Sequence, residues 1–349
     1  MLKNFLNIIF KYFSILIYNF NIYYLMKVDN LTLTDLLGKG SFADVYLTIK
    51  NGSSTLYATK VLDISNEKDN SGERDYINTE MSILMDVNHP NIIQLNEIKK
   101  KEDKIYIVTE YCNGGTLGKF WEKYQEDNKS ALPEEIVQYV MRQIIDGLKY
   151  LYDNNIMHRH LNLENIMINY ENEEDKKNNN IMKAKIKIID FGFSRYLKKG
   201  DLAHTTLGSP INMSPLLLRK LNISNDERQI GYNEKEDIWS LGTMCYELLV
   251  GKSPFETQDM DELVKKIELG DYYIPITLSK ETVSFLNCML QYDSENRLSF
   301  DKLSKHKFLT KNINEFTKIN LDELKNIKVG ILINTKENGA IRDYFGDGN

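Results

Sequence analysis

The chain has 349 residues, enough for two lobes with separate cores, and 42% of its residues are hydrophobic, as in ordinary soluble globular proteins. Its formal net charge of -6 is spread without long single-sign blocks, which argues against nucleic acid or an anionic membrane surface as a partner. The only cysteines, Cys112, Cys245 and Cys288, have no CxxC spacing, so neither a disulfide framework nor a zinc knuckle is expected. A reducing, cytoplasmic compartment fits this pattern best.

The first 25 residues contain only Met, Leu, Lys, Asn, Phe, Ile, Tyr and Ser, and two interpretations stay open. Phe13–Phe20 is nearly apolar and follows Lys3 and Lys11, as in a membrane anchor or a signal-like segment. The stretch is interrupted by asparagines, however, and falls short of the ~20 apolar residues that a membrane span needs. We favour the second interpretation, in which this segment is upstream sequence translated from an assumed start and the true start is Met26. Most of its residues have A/T-rich codons, as such upstream sequence would. A membrane partner is then not expected unless residues 1–25 are real.

Hydrophobic patterns predict the next elements in chain order. Leu36–Tyr46 predicts a strand, a glycine turn and a second strand, and Leu56–Val61 alternates as a third strand. Residues 63–75 are polar and charged and predict a loop. Tyr76–Val87 has the apolar spacing of a helix and carries Glu80.

The central part of the chain predicts two more strands and a long helix. The strands Ile92–Ile98 and Ile105–Thr109 are separated by a charged turn over Lys99–Lys104. Pro133, followed by acidic residues in the first turn, opens an amphipathic helix. The later predicted elements are a buried strand at Ile166–Ile168, a poorly ordered insertion without chemistry at residues 170–180, a strand at Ile186–Ile189, helices at Leu286–Leu290 and Phe300–Phe308, a helical turn or two within Asp322–Ile327, and a frayed end at Gly339–Asn349.

Four short motifs occur in order along these elements. Glycines in the turn Gly38-Lys39-Gly40 let backbone amides approach phosphate groups closely. Met157–Asn165 reads Met-His-Arg-His-Leu-Asn-Leu-Glu-Asn, and 190–192 reads Asp-Phe-Gly after a strand. Residues 237–242 read Asp-Ile-Trp-Ser-Leu-Gly. Each motif alone is common by chance, whereas their occurrence in this order and spacing is not.

These motifs resemble the eukaryotic protein kinase family, Ser/Thr type, over Leu33–Leu309. Phe193–Pro215 is weakly similar to the autophagy-initiating kinase subgroup. The resemblance implies an α+β, two-lobed protein-kinase-like fold with ATP in the cleft. The implied parts are an N-terminal extension at residues 1–26, a kinase domain at 31–309, divided into a small mainly β N-lobe over about 31–112 and a larger mainly α C-lobe over about 113–309, and a tail at 310–349.

The resemblance also implies the residues that bind Mg-ATP. Lys60 would pair with Glu80 and point at the α- and β-phosphates, and Asn165 and Asp190 would hold Mg²⁺. The residues expected to contact the nucleotide are Leu37, Gly38, Lys39, Gly40, Ser41, Phe42, Ala43, Val45, Ala58, Lys60, Thr109, Glu110, Cys112 and Met167.

The chain departs from the family pattern where the chemistry takes place. His160 stands where the family has the Asp that orients the attacking hydroxyl, and Asn162 stands where it has a Lys that supports the transferring phosphoryl group. Ala43 replaces the third glycine of the turn. Leu216 replaces a Glu that pairs with a buried arginine, here Arg297, which therefore needs another partner or stays solvated.

Two function classes follow from these departures. We favour a nucleotide-binding pseudokinase acting through a protein partner, because several catalytic parts are altered whereas Lys60, Glu80, Asn165 and Asp190 are kept. The alternative is an active, slow Ser/Thr kinase that transfers the ATP γ-phosphate to a protein substrate. In that case His160 replaces part of the role of the family Asp. Loss of the Asp need not abolish activity, since general-base catalysis typically raises the rate by only ~10²- to 10⁴-fold. A structural domain without nucleotide is disfavoured by the same kept residues.

Overall fold

The computed structural model divides the chain into two compact units. Unit 1 comprises the residues up to Ser71 together with Leu95–Tyr111, and unit 2 comprises Gly72–Gln94 and the residues from Cys112 onward. The structure describes residues 26–40, 43–65, 71–196, 212–221, 233–257, 259–270, 272–319, 331–335 and 340–342. The predictions for residues 1–25, for Ser41 and Phe42, and for Asp322–Ile327 lie outside these ranges.

Unit 1 is built on one antiparallel sheet. Its strands are β1 Met26–Val28, β2 Leu31–Lys39, β3 Ala43–Lys50, β4 Leu56–Asp63, β5 Leu95–Lys101 and β6 Lys104–Glu110, in the spatial order β1-β2-β3-β4-β6-β5. The strand, glycine turn and strand predicted from the sequence are confirmed as β2 and β3. A core of Val28, Leu31, Leu33, Val61, Tyr106 and Val108 is buried on this sheet. Burial of such side chains, at about 1.5–3 kcal/mol each, holds the strands that carry the glycine turn.

The boundary between β5 and β6 differs from the prediction. β5 begins at Leu95 rather than Ile92 and continues through Lys101, so the charged turn shrinks to Glu102 and Asp103. Glu102 has a φ of 53°, in the left-handed region that tight hairpins use. The prediction failed because lysines suggested a turn, whereas β5 is an edge strand, where lysine is favoured.

Unit 2 is mainly helical. Its helices are α1 Ser71–Asp86, which starts at the last residue of unit 1, α2 Leu117–Asn128, α3 Glu134–Asp153, α4 Glu173–Lys177, α5 Pro215–Leu221, α6 Glu234–Val250, α7 Met260–Leu269, α8 Lys280–Met289, α9 Phe300–Leu303 and α10 Lys307–Thr310. Its short strands are β7 Ile156–Met157, β8 Ile166–Tyr170, β9 Ala184–Ile188, β10 Arg195–Tyr196, β11 Tyr272–Tyr273, β12 Ile331–Thr335 and β13 Ala340–Arg342. β8 pairs with β9, β7 with β10, and β12 with both β11 and β13.

Helices α3 and α6 supply much of the buried core of unit 2. The apolar face of α3 that the sequence predicted is buried, including Val140, Ile144, Leu148 and Leu151. α6 is buried along almost its whole length, and the side chain of Asn233 caps it by accepting from the backbone amide of Lys235. α6 is therefore a fixed support for Asp237, which is buried in its first turns. None of the helices in the described ranges has the length and apolar content that a membrane crossing requires.

Two predictions for polar segments were wrong. The end of the predicted loop 63–75 is the first turn of α1, which begins at Ser71. This turn is polar, so it shows no apolar periodicity from which a helix could be predicted. The insertion at 170–180, predicted to be poorly ordered, contains α4, and the Asn172 side chain caps this helix by accepting from the Asp175 amide at 2.8 Å.

The C-terminal part also differs from the prediction. The predicted helix Phe300–Phe308 is two short helices, α9 and α10, and the His306 side chain caps the second by accepting from the Phe308 amide at 3.1 Å. Within the predicted frayed end, residues 340–342 form β13, which pairs with β12. Neither feature has an apolar period long enough to be recognised in the sequence.

Candidate functional site

In unit 1 the strand register brings four predicted nucleotide contacts to one face of the sheet. Val45 on β3 lies opposite Lys60 on β4, and Ala58, two residues before Lys60, lies opposite Thr109 on β6. Opposed residues, and residues two apart in one strand, face the same side of a sheet. Val45, Ala58, Lys60 and Thr109 therefore share one face, and Glu110 ends β6 directly after them.

The glycine turn between β2 and β3 is closed by a backbone hydrogen bond. The Gly40 amide donates to the Ala43 carbonyl at 2.9 Å, and a Cβ added at Gly40 would lie 3.2 Å from that oxygen. A Cβ at Gly38 would meet nothing within 4 Å. The backbone at Gly38, flanked by Leu37 and Lys39 on β2, is thus open to close approach by a ligand.

A buried carboxylate holds the loop Met157–Asn165 of unit 2. Asp237 on α6 is 2% exposed and accepts from the backbone amides of His158 at 2.9 Å and Arg159 at 2.8 Å. Arg159 has a φ of 69°, a conformation that is uncommon for residues other than glycine. Two charge-assisted hydrogen bonds stabilise this conformation, so the loop backbone is fixed before any ligand binds.

His158 ties this loop to the segment around Asp190. Burial lowers the pKa of His158, and the opposite effect of the nearby Asp237 is smaller. The pKa therefore lies below its usual value and the ring is neutral at pH 7. Its Nε2 lies 2.9 Å from the Ile189 carbonyl, and donation there leaves Nδ1 as an acceptor. The Ser194 hydroxyl donates to the His158 carbonyl at 3.1 Å. The residues on both sides of Asp190 are therefore anchored to one buried histidine.

The three residues at the centre of the predicted site meet in unit 2. His160 Nδ1 lies 3.5 Å from Asp190 Oδ2 and 3.2 Å from Asn165 Nδ2. Asn165 Nδ2 also donates to the His160 carbonyl at 2.8 Å. The edge of one ring meets the face of the other between His160 and Phe193, with centroids 4.8 Å apart. The imidazole thus stands beside the two residues expected to hold a metal ion.

Asn162, at the position where the family has a lysine, acts locally in the fold. Its Oδ1 accepts from the amides of Glu164 at 2.9 Å and Asn165 at 3.1 Å, which caps a short 3₁₀ turn over Leu163–Asn165. Glu164 in turn accepts from the Thr116 hydroxyl at 3.0 Å. A cap of this kind stabilises the turn but brings no positive charge to the site.

Helix α1 carries Glu80 to the Asp190 segment. Glu80 is 5% exposed, and a Cβ added at Gly192 would lie 3.6 Å from Glu80 Oε2 and 3.5 Å from Asp190 Oδ1. Tyr76, one turn before Glu80, packs edge-to-face on Phe193 at 5.5 Å. The two distances at Gly192 are ordinary van der Waals distances, so Glu80 and Asp190 both direct a carboxylate oxygen to the same side of Gly192.

The last two predicted nucleotide contacts, Cys112 and Met167, lie in unit 2. Cys112 is 4% exposed, and Met167 on β8 forms a backbone bridge with Thr116. The amide of Gly114 donates to the Ile168 carbonyl at 2.9 Å, so the segment after Cys112 is held against β8.

Arg297 has a partner that the sequence analysis missed. Its NH1 lies 3.5 Å from Oε2 of Glu236 on α6, and both side chains are fully buried. The sequence left two alternatives open for Arg297. The prediction that it has another partner is confirmed, and the prediction that it stays solvated is wrong. Leu216, where the family carboxylate would be, is half-buried at the start of α5. One signal in the sequence could have identified this partner. Glu236 is an acidic residue directly before Asp237, and apolar residues follow it.

Backbone carbonyl groups also stabilise the buried positive charge of Arg297. Its guanidinium donates to the carbonyls of Gln291, Lys235 and Tyr292 at 2.8, 2.9 and 3.0 Å, and it lies 4.9 Å from the centre of the Trp239 ring. Burial raises the pKa of Glu236, and the positive charge of Arg297 opposes that rise. The cation is thus supported mainly by carbonyl oxygens, with Glu236 as its charged neighbour.

Comparison with known proteins decides the family. The model of the protein kinase domain matches residues 31–309. This chain belongs to the protein kinase family. The predicted α+β, two-lobed protein-kinase-like fold is therefore confirmed.

The most similar kinases include several Ser/Thr enzymes. Serine/threonine-protein kinase atg1 of Dictyostelium discoideum is 30% identical over 293 residues, which cover 83% of this chain and 40% of that protein. Serine/threonine-protein kinase ULK3 of Xenopus laevis is 31% identical over 288 residues, covering 81% and 56%. Serine/threonine-protein kinase PLK4 of Aedes aegypti is 29% identical over 286 residues, covering 82% and 34%.

These relatives confirm the predicted Ser/Thr kinase type and the weak likeness to the autophagy-initiating subgroup. The likeness is weak because the PLK4 kinase is almost as similar as atg1 and ULK3. The kinase domain of this chain spans between about a third and just over half of the length of these three relatives.

Proposed function

We propose that this kinase domain binds a nucleotide and has impaired phosphotransfer, as a pseudokinase that acts through a protein partner. The observation that carries the proposal is the environment of His160. At the position where the family has a catalytic Asp, its imidazole lies 3.5 Å from Asp190 and 3.2 Å from Asn165. An attacking hydroxyl would meet an imidazole at this position in place of an aspartate carboxylate.

The loss of charge in the catalytic loop supports the same proposal. Phosphoryl transfer depends on positioning and on charges aimed at the transferring group. This loop has lost the negative charge of the family Asp at His160 and the positive charge of the family Lys at Asn162. Asn162 instead caps the 3₁₀ turn. Two separate contributions to the transition state are therefore missing.

The residues that remain fit Mg-ATP, which protein kinases generally use. Asp190 offers carboxylate oxygens on a side chain that is 26% exposed, and oxygen donors are what Mg²⁺ prefers. Asn165 donates through Nδ2 to the His160 carbonyl, which leaves its Oδ1 for a ligand. A bound Mg²⁺ would neutralise phosphate charge at these two residues. The shared sheet face of Val45, Ala58, Lys60 and Thr109 supports the nucleotide half of the proposal.

The alternative function is a slow Ser/Thr kinase acting on a protein substrate. Its support is the intact scaffold of the loop, since Asp237 holds the backbone of His158 and Arg159, and the relatives are Ser/Thr kinases by name. The transition state is loose, and a neutral imidazole at His160 can accept a proton. Loss of general-base help alone would leave a rate lower by about 10²- to 10⁴-fold.

A phosphotransfer assay separates the two functions. The chain is incubated with radiolabelled ATP, Mg²⁺ and a generic Ser/Thr substrate, beside the Lys60→Ala variant as control. The pseudokinase proposal predicts the same background signal from both proteins. Signal that disappears in Lys60→Ala would overturn it in favour of the slow kinase.

Nucleotide binding is tested separately by thermal unfolding. Saturating Mg-ATP at ~100 times its dissociation constant should stabilise the protein by about 2.7 kcal/mol, which is several degrees in melting temperature. The Lys60→Ala variant should show a smaller shift. Absence of any shift would refute the nucleotide part of the proposal.

Restoring the family residues tests whether the rest of the site is assembled. The double variant His160→Asp with Asn162→Lys returns both lost charges to the loop. If the remaining residues are in place, its phosphotransfer rate should rise by at least 10²-fold over the parent chain. An unchanged rate would point to a second lesion at Leu216 and Asn212.

A further inference from the structure

Helix α2 begins with a glycine whose missing side chain leaves space for a carboxylate. Gly118 is the second residue of α2 and is buried. A Cβ added there would lie 1.9 Å from Glu164 Oε1, closer than such atoms ever approach, and 3.5 Å from the Leu163 Cβ. Glycine is a poor helix former, because its backbone loses the most freedom on folding. Its presence at this position is explained by the Glu164 side chain that fills the space.

Thr116 holds the other oxygen of the same carboxylate. Its hydroxyl donates to Glu164 Oε2 at 3.0 Å and accepts from the Lys119 amide at 3.2 Å, which caps α2. The single hydroxyl proton is thereby directed to the carboxylate, and hydrogen bonds to carboxylates are stronger than those between neutral groups. Thr116 and Gly118 together make what we call the α2–Glu164 contact.

The backbone directly before α2 is fixed to strand β8. Residues 114–115 and Ile168 exchange two backbone hydrogen bonds, each of 2.9 Å. Thr116 continues this pairing as a backbone bridge to Met167. The α2–Glu164 contact is therefore made from a well-anchored part of unit 2.

Glu164 lies in the 3₁₀ turn that also carries Asn165. Asn162 Oδ1 accepts from the amides of both residues, at 2.9 and 3.1 Å, and so anchors the backbone of the turn. The α2–Glu164 contact adds a side-chain anchor to the same turn. Asn165 Nδ2 donates to the His160 carbonyl at 2.8 Å, which leaves its Oδ1 for a ligand. The orientation of Asn165 therefore depends on an anchor inside the loop and on a second anchor in α2.

We propose that Thr116 and Gly118 are positioning residues for Asn165. They fix the Glu164 carboxylate on α2, and Glu164 in turn fixes the turn that presents Asn165 to a metal ion. Neither Thr116 nor Gly118 belongs to the four motifs found in the sequence. The functional half of this inference rests on the proposed Mg-ATP site, whereas the contact itself can be tested without nucleotide.

A double-mutant cycle in thermal unfolding tests the contact. Gly118→Ala improves helix propensity but places a Cβ on the Glu164 carboxylate, which must leave its position because it is the end of a flexible side chain. In the Glu164→Ala background this conflict is absent. Gly118→Ala should therefore raise the melting temperature by about 2–4 °C more in Glu164→Ala than in the parent chain. An equal shift in both backgrounds would refute the contact.

The functional half is tested by the Mg²⁺ dependence of ATP binding. Isothermal titration calorimetry measures the ATP affinity of the full chain with Mg²⁺ and with a chelator in its place. In Gly118→Ala and in Thr116→Val the gain in affinity that Mg²⁺ brings should fall about three- to tenfold, because Asn165 is less well oriented. Thr116→Ser keeps the hydroxyl and should behave as the parent chain. An undiminished gain in both of the first two variants would overturn the positioning role.

Ser279 offers a matched control for the loss of a helix cap. Its hydroxyl caps α8 by accepting from the Thr282 amide at 3.1 Å, but it donates to the Thr282 hydroxyl at 2.8 Å and not to Glu164. Ser279→Ala should lower the melting temperature and leave the Mg²⁺-dependent gain unchanged. A fall in that gain equal to the fall in Thr116→Val would mean that lost stability alone is sufficient, and it would refute the positioning role.

Failure of the proposed function would give a different pattern of results. A parent chain that binds no ATP under either condition would refute the proposed nucleotide site. The positioning role would then be decided by amide hydrogen exchange in residues 157–165, which should be at least about fivefold faster in Gly118→Ala and in Thr116→Val but not in Ser279→Ala. Exchange as slow as in the parent chain would refute the positioning role as well.

Discussion

Replacement of Arg297 should be among the most damaging single changes in the helical lobe. The guanidinium donates to three backbone carbonyls at 2.8–3.0 Å and faces Glu236 at 3.5 Å, with both side chains fully buried. Arg297→Ala leaves those acceptors without a donor and the carboxylate without its cation. Breaking a buried pair from one side costs about 3–5 kcal/mol, so we expect a loss of about 4 kcal/mol in the free energy of unfolding.

Replacement of Glu236 should cost much less, although it removes the other half of the pair. At 3.5 Å, with an effective dielectric constant of ~20, the attraction between the charges is about 5 kcal/mol. Burial of the carboxylate opposes this by several kcal/mol, and the raised pKa of Glu236 gives burial the larger effect. Glu236→Gln keeps the shape and leaves Arg297 with its three carbonyl partners. We therefore expect a change within about 1 kcal/mol.

Urea unfolding followed by circular dichroism measures both variants, with melting temperatures as a second reading because the two lobes need not unfold together. Arg142→Ala is the matched control, since Arg142 is another arginine that donates to the backbone, through Nε and NH2 to the Leu309 carbonyl. Its cost should be about 1 kcal/mol. A loss of 3 kcal/mol or more in Glu236→Gln, equal to that of Arg297→Ala, would refute this account of the pair.

Three further predictions concern other parts of the kinase domain. Asp237→Asn should lower stability by about 2 kcal/mol and raise proteolysis of the catalytic loop, because two charge-assisted bonds to loop amides are weakened; unchanged proteolysis would contradict this. Burial raises the pKa of Glu281, but its bonds to Lys311 and to a backbone amide lower it to about 2, so the stability it contributes is present above pH 4.5 and lost as the pH falls towards 2. Glu281→Gln should therefore destabilise the chain at pH 7 but not at pH 2, and an equal loss in urea titrations at both pH values would argue against it. Gly242→Ala should cost about 2 kcal/mol in thermal unfolding, because its Cβ would lie 2.8 Å from the Met289 Cβ; a neutral result would mean that α8 shifts freely.

The kinase fold could be predicted from the sequence because it depends on local signals, and the candidate site residues, which the same motifs carry, stay predictions. Glycines at 38 and 40, the alternating strand around Lys60, and the Asp-Phe-Gly motif after a strand each determine a local conformation that any homologous chain would adopt. The predicted boundaries of elements were wrong where an element consists of polar residues, as in the first turn of α1 and the lysine-rich end of β5. In those places the conformation follows from neighbours in space, which the local pattern does not record.

The sequence by itself determined which chemical groups are present: a histidine and an asparagine in the loop Met157–Asn165, a leucine where the family has a carboxylate, and a lysine, a glutamate, an asparagine and an aspartate at the positions where the family binds Mg-ATP. Only the tertiary structure decided what those groups do to one another. It set His160 beside Asp190 and Asn165, and it brought Glu236 of α6 to Arg297, 61 positions further along the chain. The physical reason is that charges and ligands act through distance and burial, and both are fixed by packing between segments far apart in sequence.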